Sequence, residues 1–90
     1  MNKYSFVATF SKNFLKNIGY EPSGEVLKYI RDKVKETPSH TKIDSMGRHS
    51  EYHTFSLYDK LVTVVVDADT KKIITAIIET HKRGWGNYED

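Results

Sequence analysis

The residues best able to do chemistry crowd the end of the chain. His81, Lys82 and Arg83 stand in a row, and Trp85 and Tyr88 follow. A lysine beside an arginine offers a point charge and a planar fork to phosphate oxygens. An aromatic ring can stack on a base while such cations hold the backbone. Arg83 could also stabilise the extra negative charge of a phosphoryl transition state. His81 or Tyr88 could move protons, histidine because it titrates near neutrality. The plainer reading is a basic polar tail with Trp85 folded back onto the body of the protein.

A second group lies nearer the middle. His49 and His53 are four apart, which on a helix would put them on one face, but the surrounding period is two, so His53 is expected on a strand and His49 in the approach to it. His53 shares its strand face with Phe55 and Leu57, where a half-buried, hydrogen-bonded histidine is the ordinary case and a proton-transfer group the sharper one. Arg48 and His49 beside Gly47, and Lys60 farther on, could reach an anion or simply be solvated. No HExxH pair, dinucleotide or P-loop glycine pattern, or GxSxG elbow is present. With no cysteine there is neither a thiolate ligand nor a thiol nucleophile. No metal and no cofactor is expected.

These groups need a scaffold, and the hydrophobic pattern predicts one. Residues 4–9 alternate weakly and read as a short strand. Ser11 suits a helix N-cap for 11–18, with Phe10 and Leu15 as a staple and Gly19 closing the helix in left-handed geometry. Pro22-Ser23-Gly24 breaks the chain, and Ser23 caps a second helix whose apolar positions are Val26, Leu27, Ile30 and Val34. Thr37-Pro38 is expected to stop it. From residue 52 the period changes to two: 52–58, 61–67 and 73–80 read as three antiparallel strands in a meander, with turns at Asp59-Lys60 and 67–71. A further short strand is expected at 41–44. Thr54, Ser56 and Tyr58 fall on the side away from His53. They would line a groove for a small ligand or form the wet face of an antiparallel sheet.

The 90 residues make one domain, 1–90, with 81–90 as a polar tail. The fold class is α+β: two N-terminal helices packed on an antiparallel sheet of about four strands. Net charge is only +2, which permits an anionic partner without demanding one. The apolar runs are too short to cross a bilayer, so no membrane association is expected. The absence of cysteine staples in so small a domain, with no leader-like start, favours a cytoplasmic setting.

This order of elements resembles that of the RelE-like mRNA interferase toxins, within the wider barnase/EndoU/colicin/RelE group of small ribonucleases. The similarity spans about residues 4–88. It appears in FSKNFLKNIGYEPSGEVLKYIRDKVKETP, similar to that family's paired helices, and in EYHTFSLYDKLVTVVVDADTKKIITAIIETHKR, similar to its C-terminal strands. Lys82-Arg83 and then Tyr88 match the basic pair and tyrosine that often end the family's last strand. The resemblance implies a metal-independent endoribonuclease in which a ribose 2′-hydroxyl attacks the adjacent phosphate. RNA, including ribosome-bound mRNA, would be the partner, with an antitoxin as a second one. Arg83, Tyr88, His81 and His53 would be the catalytic candidates; Arg48, His49, Lys60, Lys82 and Trp85 would contact nucleic acid. The family's basic residues on the strand matching 52–58 are replaced here by Thr54 and Ser56. A catalytically inactive scaffold serving as a protein-binding module or inhibitor is therefore the alternative.

Overall fold

The computed structural model describes residues 3–79. Their elements run β1 (Ser5–Phe6), α1 (Phe10–Ile18), α2 (Gly24–Lys33), β2 (His40–Ile43), β3 (His49–Leu57), β4 (Lys60–Asp67) and β5 (Lys72–Ile78). The strands form one sheet in the order β1-β5-β4-β3-β2. The expected α+β class and the meander β3-β4-β5 are present. The sheet differs from the expectation in having five strands, and in being mixed, because β1 pairs parallel to β5 through Ser5↔Lys72 and Phe6↔Ile73. So short a strand leaves little periodicity to read, and its direction depends on where the chain returns after two helices. No described helix is long and apolar enough to cross a membrane.

The core follows from two helical stripes meeting one sheet face. Phe10, Phe14 and Ile18 recur every four residues on α1, and Val26, Ile30 and Val34 do so along α2 and its cap. They pack on Phe55, Leu57, Val62, Val64, Val66, Ile73 and Ala76. Burying each such large side chain contributes about 1.5–3 kcal/mol relative to leaving it in water. Leu15 lies outside this stripe and is 43% exposed, so the expected Phe10–Leu15 staple does not form. Phe10 instead belongs to the helix, whose N-cap is Thr9 without a side-chain bond, so Ser11 is not the cap. Ser23 does cap α2, its hydroxyl accepting from the Val26 N–H at 3.2 Å. Gly19 ends α1 at φ 111, where a side chain would be strained.

The turns set the register. The β3–β4 loop is Tyr58-Asp59, one residue earlier than the pattern suggested, with Tyr58 at φ 58 and Leu57 paired to Lys60. Val66 pairs with Ile73 but Val65 with Thr75, so Ile74 is an extra residue that bends β5. Past its two-residue match with β1, the edge of β5 is open to α1. Asn13 Nδ2 donates to the Ile74 carbonyl at 3.4 Å and Asn17 Nδ2 to the Ala76 carbonyl at 3.1 Å. One turn of helix and two residues of strand have nearly the same rise, so residues four apart on α1 reach carbonyls two apart on β5.

Candidate functional site

Strand alternation gives the sheet a second face, turned away from the helices. His53, Phe55 and Leu57 of β3 point into the core, so Tyr52, Thr54 and Ser56 point outward. Across β4 the same face receives Thr63, which pairs with Thr54. Three groups meet there. Thr54 Oγ1 lies 2.8 Å from Thr63 Oγ1, and Thr63 Oγ1 donates to Glu79 Oε1 at 2.6 Å. Each hydroxyl has one proton, and Thr63 gives its own to the carboxylate, so Thr54 must donate to Thr63. The chain therefore runs one way, from Thr54 to Glu79. Thr63 is only 4% exposed, while Thr54 and Glu79 at the two ends are half-buried. Glu79 is held beside β4 by its N–H, which donates to the Leu61 carbonyl at 2.8 Å. Toward the other end of this face His40 pairs across the β2–β3 hairpin with Tyr52, their ring centroids 5.5 Å apart.

The expected site residues are placed as follows. His53 is 3% exposed and on the helix-facing side, opposite Thr54 and Thr63. Its Nε2 has no hydrogen-bond partner and lies 3.6 Å from Glu51 Oε1. It borders a cavity of about 50 Å³ with Lys33, Glu36 and Ser39, space for a water or two. Loss of solvent lowers its pKa from the ordinary 6.5, while Glu51 and then Glu36 pull it upward. Arg48 is held in the β2–β3 loop, its Nε donating to Asp44 Oδ2 at 2.9 Å. Asp44 Oδ1 also accepts the N–H groups of Met46 and Arg48, and these bonds, the Arg48 N–H foremost, lower the Asp44 pKa. His49 Nδ1 is 3.4 Å from Asp69 Oδ2 on the surface. Lys60 is exposed at the start of β4, paired with Leu57 at the far end of β3, which lies about 26 Å of strand rise from His49. Arg48, His49, Lys60 and His53 are thus not gathered into one cleft. The expectations for His81, Lys82, Arg83, Trp85 and Tyr88 fall outside the described residues.

Sequence reasoning missed two features. The Thr54–Thr63–Glu79 chain needs the β3–β4 register and the turn of β5 toward Leu61, although the alternation did place Thr54 on the outward side. A cavity of about 190 Å³ does border Ser56 and Tyr58, but it lies against Glu25, Val26 and Tyr29 of α2, on the helix side, and Thr54 takes no part in it. The second missed feature is a basic hollow where the N-terminal segment meets α2. It measures about 510 Å³ and is lined by Lys3, Tyr4, Ser5, Arg31 and Lys35. Its cations are far apart in the chain, so no local pattern groups them. Among the described residues, no group of three or more His, Asp or Glu side chains is placed to hold a metal ion. Comparison with protein-family models, with curated proteins and with solved structures finds no significant match in any of the three.

Proposed function

We propose that this chain is a RelE-like, cytoplasmic endoribonuclease that cleaves RNA without a metal, using the outward face of the sheet. The observation that carries the reading is the Thr54–Thr63–Glu79 relay, a carboxylate ordered by a buried hydroxyl at the end of the sheet. The sequence runs directly from that carboxylate into His81-Lys82-Arg83. Arg83 follows Glu79 by four residues, so the two Cα atoms are within about 14 Å in any conformation.

The reaction needs three things from the protein. The 2′-oxygen bonds to phosphorus as the P–O5′ bond breaks, leaving a 2′,3′-cyclic phosphate and a 5′-hydroxyl. The 2′-proton must go to a base, the phosphate must be stabilised as negative charge builds on it, and the departing O5′ must receive a proton. Glu79, its carboxylate oriented by Thr63, takes or directs the 2′-proton. Arg83, with Lys82, binds the phosphate. His81 or Tyr88 returns a proton to O5′, and Trp85 stacks on a neighbouring base. His53, buried on the other face, takes no part.

The test is cleavage of end-labelled RNA, with and without ribosomes, in the presence of a chelator. Wild-type protein is expected to cut. Glu79→Gln and Arg83→Ala are expected to slow cutting by about 100-fold each while leaving the fold intact. An intact wild-type protein that neither cuts nor binds RNA at low salt would remove the proposal.

One observation favours a second reading, a protein-binding scaffold. β2 is an edge strand with all four residues exposed, and Ile43 and Met46 beside it are 64% and 76% exposed. Such an edge can accept a strand from a partner such as an antitoxin. Recovery of one stoichiometric protein partner, lost on substituting proline for Thr41, together with no RNA cleavage, would favour it.

A further inference from the structure

We infer that the hollow between the N-terminal segment and α2 is a binding site for adjacent phosphate groups, separate from the outward sheet face. Among the described residues its lining holds three cations, Lys3, Arg31 and Lys35, with Tyr4 and Ser5 and no carboxylate. One more lysine stands at its edge. Lys71 Nζ sits 5.3 Å from the Tyr4 ring centroid. These four cations come from three places in the chain: the start, α2 with its following turn, and the β4–β5 turn.

Their counter-charges are few. Among the described residues the one ion pair involving any of the four is Lys35 Nζ–Asp32 Oδ1 at 3.8 Å, more than half exposed on both sides. Asp32 also pairs with Lys28 at 3.9 Å, so its single charge is divided. Among the described residues the positive charge is therefore only partly offset, and a concave wall concentrates it. Cations near the C-terminal end of α2 would also interact well with the helix dipole. That accounts for Arg31 and Lys35 but not for Lys3 or Lys71.

Two details indicate preparation for a ligand rather than chance crowding. Arg31 is braced, its guanidinium 5.9 Å from the Phe6 ring centroid, which leaves its fork less freedom to lose on binding. Lys71 adopts φ 62, a conformation that glycine or asparagine would take at lower cost. The Lys71 side chain from this position lies over the Tyr4 ring, which lines the hollow.

The ligand class follows from charge density. A hollow of about 510 Å³ is the size of a small-molecule site. Several cations converging on it suit an anion that carries more than one charge in a short span. Consecutive phosphates do so, and accept bidentate bonds from a guanidinium while hydroxyls such as those of Tyr4 and Ser5 supply further donors. The source is either a free oligophosphate or the 5′-triphosphate end of an RNA strand, which share this chemistry.

The inference does not depend on catalysis by the outward face. Inorganic triphosphate is titrated at fixed ionic strength into the full chain, into Lys3→Ala/Arg31→Gln/Lys35→Ala, and into Lys12→Ala/Lys16→Ala, which removes charge from α1 instead. All the substituted side chains are solvent-facing, and circular dichroism checks that each variant folds. Triphosphate is expected to bind the wild type, to bind the first variant at least about tenfold more weakly, and to bind the second within about twofold of wild type. A second arm compares RNA oligonucleotides carrying a 5′-triphosphate or a 5′-hydroxyl. Preference for the former, lost in the first variant, identifies an RNA end as the source; equal binding of the two with retained triphosphate binding identifies a free oligophosphate. No binding of triphosphate to wild type, or equal weakening in the two folded variants, overturns the inference.

Discussion

The two faces of the central strand β4 are built from the same backbone and do opposite jobs. On one side Val62, Val64 and Val66 are fully buried beneath α1 and α2. Their contacts are apolar, non-directional and tolerant of small shifts. On the other side Thr63 is nearly as buried, yet its neighbours are a hydroxyl and a carboxylate at 2.8 and 2.6 Å. There the fit depends on direction and proton count, and nothing is gained by packing alone. The contrast separates stability from chemistry: the helix face should fail by unfolding, the outward face by losing function in a folded protein.

The strongest way to break this division is through its apolar half. Phe14 is wholly buried among Phe10, Tyr20 and the sheet. Phe14→Ala should lower unfolding free energy by about 4 kcal/mol in denaturant titration. A loss below about 1 kcal/mol would mean the core is not organised around this stripe. Next in size, Arg83→Ala should reduce RNA cleavage about 100-fold, equivalent to about 2.7 kcal/mol, with an unchanged melting temperature. A comparable fall in stability would put Arg83 in the structural half of the comparison instead.

A smaller effect tests the boundary between the faces. Asn13 and Asn17 cover the open edge of β5, and the double substitution to alanine should cost about 1 kcal/mol for each bond removed. It should also increase self-association, because bare edge carbonyls and N–H groups recruit other strands. Light scattering on the folded variant checks this; an unchanged monomer would show that the edge needs no cover.

The smallest effect is a pH slope from His53. Burial lowers its pKa in the folded chain, partly offset by Glu51 and Glu36. The unfolded chain therefore takes up the proton more readily, near the unperturbed value of about 6.5. Stability is fully present above that pH and declines as pH falls below it, until the folded form is protonated too. Denaturation at about pH 7.5 and about pH 5 should show the decline in wild type and a flatter response in His53→Gln. Equal slopes would assign the acid sensitivity to other groups.

Much of this architecture can be read from the chain because burial leaves a periodic mark. The helical spacing of Phe14 and Ile18, and the alternation of His53, Phe55 and Leu57, identify the first helix and the meander, although the place of Phe10 inside the helix is not legible. The Ser23 cap and the Gly19 terminus are legible from local chemistry. Features that depend on distant pairing are not. Ser5–Phe6 joins β5 in parallel across more than sixty residues, and no local pattern encodes that. The hollow is hidden for the same reason, since Lys3, Arg31 and Lys35 come together only when the N-terminal segment docks. The outward relay is half legible: Thr54 has the right phase, but its partner Thr63 sits within a run of valines and Glu79 beyond the last strand.

The account rests on 2′-hydroxyl attack by a folded protein acting through its outward face. The direct test is cleavage, in chelator, of an RNA strand that wild type cuts at a mapped position, compared with the same strand carrying a 2′-deoxynucleotide immediately 5′ to that cut. The prediction is loss of cutting at the substituted position alone, and a 2′,3′-cyclic phosphate end on the unsubstituted product. Cutting that survives the deoxy substitution, or that appears only when a divalent metal is added, would contradict it.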